Sequence, residues 1–80
     1  MRDDYWVQAA PFRALLDRLL DVTGLPWPVL AQEAGIPLRL AEHLLFGRRG
    51  RRLGRIPADS ARRILLLDEA RLARLARLAR

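Results

Sequence analysis

The stretch from Trp27 to Phe46 reads Trp-Pro-Val-Leu-Ala-Gln-Glu-Ala-Gly-Ile-Pro-Leu-Arg-Leu-Ala-Glu-His-Leu-Leu-Phe, and its spacing restricts the fold more than any other part of the chain. Ala31 is its fifth residue and Gly35 its ninth. A small residue at the fifth place lets a second helix cross close by, and glycine at the ninth takes a positive φ without steric cost. Leu30, Ala34, Ile36, Ala41 and Leu44 fall where such a pair would bury its side chains. These seven positions, in this order, predict two short helices over 27–34 and 38–46, crossing steeply about a tight turn. Helices this short are marginal alone and must pack on a third.

The flanks supply candidates for that support. Phe12, Leu15, Leu16, Leu19 and Leu20 recur at helical spacing with Arg13, Asp17, Arg18 and Asp21 between them, which predicts an amphipathic helix over 11–22. Pro11 suits its first turn and Gly24 a left-handed stop. Tyr5, Trp6 and Val7 are expected to fold back onto the core. Gly47 closes the helix 38–46, and Arg48–Arg55, with Gly50 and Gly54, reads as a mobile basic loop. A fourth helix is expected over 58–67, started by Asp59 or Ser60, with Ala61, Ile64, Leu65 and Leu67 in the core. Residues 68–80 read as an Arg/Leu-rich extension of that helix. Its Leu-Ala-Arg repeat has a period of three, so on an α-helix the Leu stripe drifts by about 60° per step and spirals. Leu65, Leu72, Leu75 and Ala79 still approximate a heptad seam, a candidate homodimer contact. The expected architecture is all-α: a compact bundle of four helices, or five, over 1–67, followed by an oligomerisation segment over 68–80.

Eighty residues make one domain with a thin core. Without Cys there are no disulfides and no thiolate-based metal sites. Met1-Arg2-Asp3-Asp4 lacks the order of a secretory leader, and no apolar run approaches a membrane span. A cytoplasmic protein is expected. No Ser/His/Asp pairing, phosphate loop or metal-spaced cluster is present, and a helix cap accounts for Ser60, so neither enzymatic activity, metal nor cofactor is expected. The net charge of +6 and isoelectric point near 11.6 favour a polyanionic partner, nucleic acid before membrane. All fifteen basic residues are Arg, as in chains from GC-rich genomes, so their placement says more than their type. Arg48, Arg49, Arg51, Arg52 and Arg55 lie between Phe46 and Ile56 with no acid among them.

Phe12 to about Leu67, roughly two-thirds of the chain, resembles the lambda-repressor-type helix-turn-helix family, nearest to its short Arg-rich members in actinobacteria and their phages. The resemblance is carried by Ala31 and Gly35, by Ile36-Pro-Leu-Arg-Leu-Ala-Glu-His-Leu-Leu-Phe-Gly47, by the basic loop, and by Arg55-Ile-Pro-Ala-Asp-Ser-Ala-Arg-Arg-Ile-Leu65. It implies a compact bundle that binds double-stranded DNA in transcription, associated with the nucleoid. The recognition helix would be 38–46, with Leu38, Arg39, Glu42 and His43 at base edges and Phe46 near the backbone. Gln32 and the five loop arginines would contact phosphates. Trp27 departs from the family, which often has a polar phosphate contact there.

Side-chain chemistry then limits what could be read. The chain has no Asn, and its Gln residues, 8 and 32, lie outside the recognition helix, so the usual bidentate reader of adenine is missing there. Arg39 suits guanine, Glu42 the cytosine amino group, His43 guanine or phosphate, and Leu38 a thymine methyl, which together predict a G·C-weighted site. The plainer alternatives are a phosphate contact for Arg39, an ion pair for Glu42 and a solvated or capping role for His43. A second departure is the apolar character of Leu38, Leu40, Leu45 and Phe46. It supports an alternative in which the same fold docks on a protein of the transcription machinery or on another regulator. A third reading takes the Arg/Leu tail as a membrane-surface segment.

Overall fold

Residues 5–79 are described by the computed structural model as two short strands and five helices: β1 (Trp6–Gln8), α1 (Ala10–Thr23), α2 (Trp27–Ala34), α3 (Leu38–Phe46), β2 (Arg55–Pro57), α4 (Ala58–Leu65) and α5 (Glu69–Leu78). The leader reading of Met1–Asp4, and Arg80 at the end of the terminal repeat, lie outside them. Glycine ends both α1 and α2 in the left-handed conformation, with φ 71° at Gly24 and 76° at Gly35, and each donates its N–H back into the last turn. Thr23 reinforces the first stop: its Oγ1 donates to the Leu19 carbonyl and accepts from the Leu25 N–H. All the positions expected to be buried in the α2–α3 pair are buried, Ala31 and Ala41 among them, and the two helices pack on each other. Leu16, Leu30, Leu44, Ile56, Ile64 and Leu72 form the centre of the core.

The fold is mostly helical, but the all-α expectation is corrected by the sheet. β1 and β2 pair antiparallel, with Trp6 opposite Pro57, Val7 opposite Ile56 and Gln8 opposite Arg55. Hydrogen bonds from Ala9 N–H to the Gly54 carbonyl (2.9 Å) and from Ala58 N–H to the Tyr5 carbonyl (2.7 Å) continue the ladder at both ends. Strand side chains alternate between faces, so Val7 and Ile56 turn towards the core while Trp6, Gln8 and Arg55 remain exposed. The Tyr5-Trp6-Val7 cluster therefore folds back only through Val7; Tyr5 and Trp6 are both exposed. Three-residue strands are too short to show a period, and the pairing joins segments almost fifty residues apart.

The tail is likewise corrected: α5 is a separate helix and not an extension of α4. The chain turns at Leu66, and Asp68 caps α5 by accepting the Ala70 N–H at its Oδ1 (3.0 Å). Glu69 follows in the first turn, where an acid interacts favourably with the helix dipole. Leu65, expected in the core, is exposed beside Leu66, while Leu67 packs inward. The spiralling Leu stripe is visible in the burial: Leu72 is 1% exposed, Leu75 is half-buried and Leu78 is 82% exposed. Leu72 and Ala76 pack into the core that α1 lines, and full burial of one such leucine contributes about 2 kcal/mol. The seam Leu65–Leu72–Leu75–Ala79 is thus divided between two helices, and Leu72 is unavailable to a second copy. Ion pairs from Arg18 to Glu69 (3.1 Å) and from Arg71 to Glu33 (3.4 Å) join α5 to α1 and α2, but exposed pairs of this kind contribute about 1 kcal/mol at most.

Candidate nucleic-acid interface

α3 buries Ala41, Leu44 and Leu45 and turns its opposite side outward. Leu38, Arg39 and Glu42 on that side are exposed and His43 is half-buried. Leu38, at the first turn, is 51% exposed. Phe46, at the far end, is 62% exposed, and its ring meets Trp27 edge-on with centroids 5.8 Å apart and the planes at 71°. This contact joins the start of α2 to the end of α3, and accounts for a half-buried aromatic at position 27.

The segment after α3 is more ordered than a mobile loop. Arg48 and Arg51 exchange backbone hydrogen bonds (2.7 and 3.0 Å), enclosing Arg49 at φ 53° and Gly50 at φ 77°. Positive φ at both central residues is the pattern of the tight turns that join antiparallel strands. Glycine adopts it freely, whereas arginine at Arg49 is held about 1 kcal/mol above its ordinary basin. Gly47 aims the turn, with φ 77° and ψ −174°, a conformation open almost only to glycine.

The turn brings cationic side chains against α3. Arg39, Leu40, Glu42, His43, Gly47 and Arg48 line one open concavity of about 440 Å³. His43, Arg48, Arg49 and Arg51 line a second of about 750 Å³. His43 and Arg48 belong to both, so the outer side of α3 and the turn form one continuous surface. Of the other residues singled out in the sequence, Leu38, Gln32, Arg52 and Arg55 are exposed but line neither concavity. Arg55 lies in β2 opposite Gln8.

The arginines divide by what they touch. Among the described residues, Arg39, Arg48, Arg49, Arg51, Arg52 and Arg55 have no ion-pair partner. Arg13 and Arg63 are instead committed to the fold, which the sequence did not reveal. Arg13 Nε donates to the Leu44 carbonyl (2.7 Å) and its Nη2 to the Leu53 carbonyl (2.6 Å). One side chain of α1 thereby satisfies a carbonyl in the last turn of α3 and ties down the segment leading to β2. Arg63 Nε pairs with Asp59 (3.0 Å), and its Nη1 donates to the Gly35 carbonyl (3.1 Å), bracing the turn between α2 and α3 from α4. The two Arg13 bonds and the Arg63–Gly35 bond cross long sequence separations, so no local pattern announces them; only the Arg63–Asp59 pair is local, at i,i+4 spacing.

Removing the Arg13 clamp should loosen the basic turn and the end of α3 together. Arg13→Ala is expected to destabilise the fold by about 2–3 kcal/mol in urea unfolding, the range for hydrogen bonds from a charged donor. Arg13→Lys should not rescue it, because one ammonium cannot reproduce the fork that spans two carbonyls. A loss below about 0.5 kcal/mol, the usual range for surface substitutions, would contradict this role.

Among the described residues, no group of three His, Cys, Asp or Glu could hold a metal, and no helix is long and apolar enough to cross a membrane. Compared with models of known protein families, with curated proteins and with solved structures, the chain matches none of them.

Proposed function

We propose that this chain binds double-stranded DNA as a sequence-specific regulator of transcription of the lambda-repressor-type helix-turn-helix kind. α3 enters the major groove and the arginines of 48–55 contact the phosphates. The observation that carries the reading is the shared surface of α3 and the basic turn. Side chains able to read base edges (Arg39, Glu42, His43) adjoin cations without an ion-pair partner among the described residues and suited to the flanking backbone (Arg48, Arg49, Arg51). Base contacts specify and phosphate contacts position, so a reader of duplex DNA needs both within one footprint. Leu38 extends the base-reading side towards a thymine methyl, and Gln32, Arg52 and Arg55 extend the phosphate-binding side. Two copies on half-sites about one DNA turn apart would have to meet through a surface that does not use Leu72.

The test is a mobility-shift titration, first with random-sequence duplex at low salt and then with duplexes selected from that pool. The selected pool should be rich in G·C pairs. Arg39→Ala should cost about 1–3 kcal/mol on a selected site while changing random-duplex binding much less. Unaltered migration of every duplex would overturn the proposal.

The exposed Leu38 and Phe46 favour a second reading, in which α3 docks on a protein of the transcription machinery or on another regulator. The two readings rank the same variants oppositely. If α3 serves DNA, Arg48→Ala combined with Arg51→Ala weakens binding more than Leu38→Asp does; if it serves a protein, Leu38→Asp is the more damaging change.

A further inference from the structure

We propose that the outer edge of β1 pairs antiparallel with the same edge of a second copy, joining two ribbons into one four-stranded sheet. The inference does not depend on the duplex-binding reading; it names the surface through which two copies of the chain meet. The direction of the backbone groups carries it first. The bonds from Ala9 N–H to the Gly54 carbonyl and from Ala58 N–H to the Tyr5 carbonyl set the alternation of the ladder. Within that alternation Val7 and Ile56 bond to each other. Trp6 and Gln8 therefore turn their N–H and C=O groups away from β2, and these groups have no partner among the described residues.

The two edges of the ribbon differ in chemistry. The positions of β2 that turn their backbone outward are Arg55 and Pro57. Proline has no N–H to offer, and Arg55 adds an exposed charge without an ion-pair partner among the described residues. Both features keep a strand edge from pairing with another chain. β1 carries neither a proline nor a charge. No residue from Tyr5 to Phe12 is charged, so no like charges on the two strands oppose each other when they meet, in a protein of net charge +6. Exposed aromatic surface adjoins the same edge, with Tyr5 at 64% and Trp6 at 53%.

The occupant follows from symmetry. A three-residue strand whose outward groups lie on its first and third residues matches itself about a two-fold axis at Val7. Trp6 then exchanges both hydrogen bonds with Gln8 of the second copy, and Gln8 does the same with its Trp6, so every outward group is satisfied at once. On the exposed face each indole lies between its own Pro57 and Gln8 of the other copy; on the core side the two Val7 side chains meet. An interface of this length is small, so the association is weak and reversible, with a dissociation constant on the order of 100 μM.

Hydrogen exchange of the full chain, followed amide by amide at about 20 μM and about 1 mM, tests the pairing without any substitution. The Trp6 and Gln8 amides should exchange about three- to fivefold more slowly at the higher concentration, while the Arg49 and Gly50 amides of the basic turn do not change. The mass measured by sedimentation should rise in step, from near 9.2 kDa towards twice that value. Gln8→Pro removes an outward N–H without touching a bond of the ribbon, and should raise the dissociation constant about tenfold or more. Gln8→Ala keeps that N–H and should stay within about threefold of the unaltered chain. Circular dichroism at low concentration checks the fold of the proline variant, and the exchange measurement decides if that variant does not fold. Leu78→Asp, at the exposed end of α5, should leave the association unchanged. A mass near 9.2 kDa at about 1 mM would overturn the proposal, as would association that leaves the Trp6 and Gln8 amides as fast as before. Association lost in Leu78→Asp and kept in Gln8→Pro would overturn it in favour of α5. None of these outcomes bears on duplex binding, which the mobility shift decides by itself.

Discussion

Raising the salt concentration from about 50 to about 200 mM is expected to weaken binding of a random-sequence duplex several-hundred-fold. The argument runs from charge placement to counterion release. Six arginines on α3, the turn and β2 have no ion-pair partner among the described residues, and the five from Arg48 to Arg55 follow one another with no acid between them. Each phosphate neutralised by such a group releases condensed counterions, and the logarithm of the affinity falls with the logarithm of salt at about −0.9 per contact. About five contacts then give a slope near −4.5. Removing Arg48 and Arg51 together should reduce the slope by about two, uniformly across sequences. The measurement is the binding isotherm at four or more salt concentrations. A slope shallower than about −2 would exclude the basic turn as a phosphate-binding element and move the balance to the protein-docking reading of Leu38 and Phe46.

Gly47→Ala should lower the melting temperature by about 10–20 °C. Two penalties coincide at this position. The backbone, with φ 77° and ψ −174°, lies in a region essentially confined to glycine, and an added Cβ would stand 2.5 Å from the Arg51 carbonyl oxygen and 3.1 Å from its carbon. The obstacle is backbone belonging to a hydrogen-bonded turn, so no rotamer change relieves it. A loss of about 3 kcal/mol follows, a large share of the stability of a domain this small. For 60–100 residues each kcal/mol corresponds to about 4–8 °C. Gly54→Ala is the matched control: its added Cβ would meet nothing and its φ is not in the left-handed region, so it should melt within a few degrees of the unaltered chain. Similar melting of the two variants would mean that the turn does not have the described geometry. In the Gly47 variant that remains folded at low temperature, the turn must rotate away from His43, so duplex affinity should fall as well.

The extents of α2 and α3 were readable because their determinants are local. Ala31, Gly35 and the apolar positions around them lie within one twenty-residue stretch, and the glycine conformation there follows from that stretch alone. The same locality made most of the candidate surface readable. Arg39, Glu42 and His43 share a helix face by spacing, and Arg48 follows a few residues later. The break between α4 and α5 was legible in principle: Asp68-Glu69 is a helix-start signal, but three leucines precede it without glycine or proline, and helical continuity was the simpler pattern.

What the sequence determined by itself is a pair of short helices joined by a tight turn, a basic segment placed after it, and a terminal repeat whose leucines cannot keep to one face. Tertiary structure alone decided that β1 pairs with β2, that Leu72 and Ala76 belong to the core, that Arg13 and Arg63 brace the fold while Arg48 and Arg49 have no ion-pair partner among the described residues, and that the basic segment stands against α3 instead of trailing from it. The division has one physical cause. Propensity, capping and periodicity act over a few residues, whereas strand pairing, side-chain clamps and a shared surface depend on which distant groups the collapsed chain brings together.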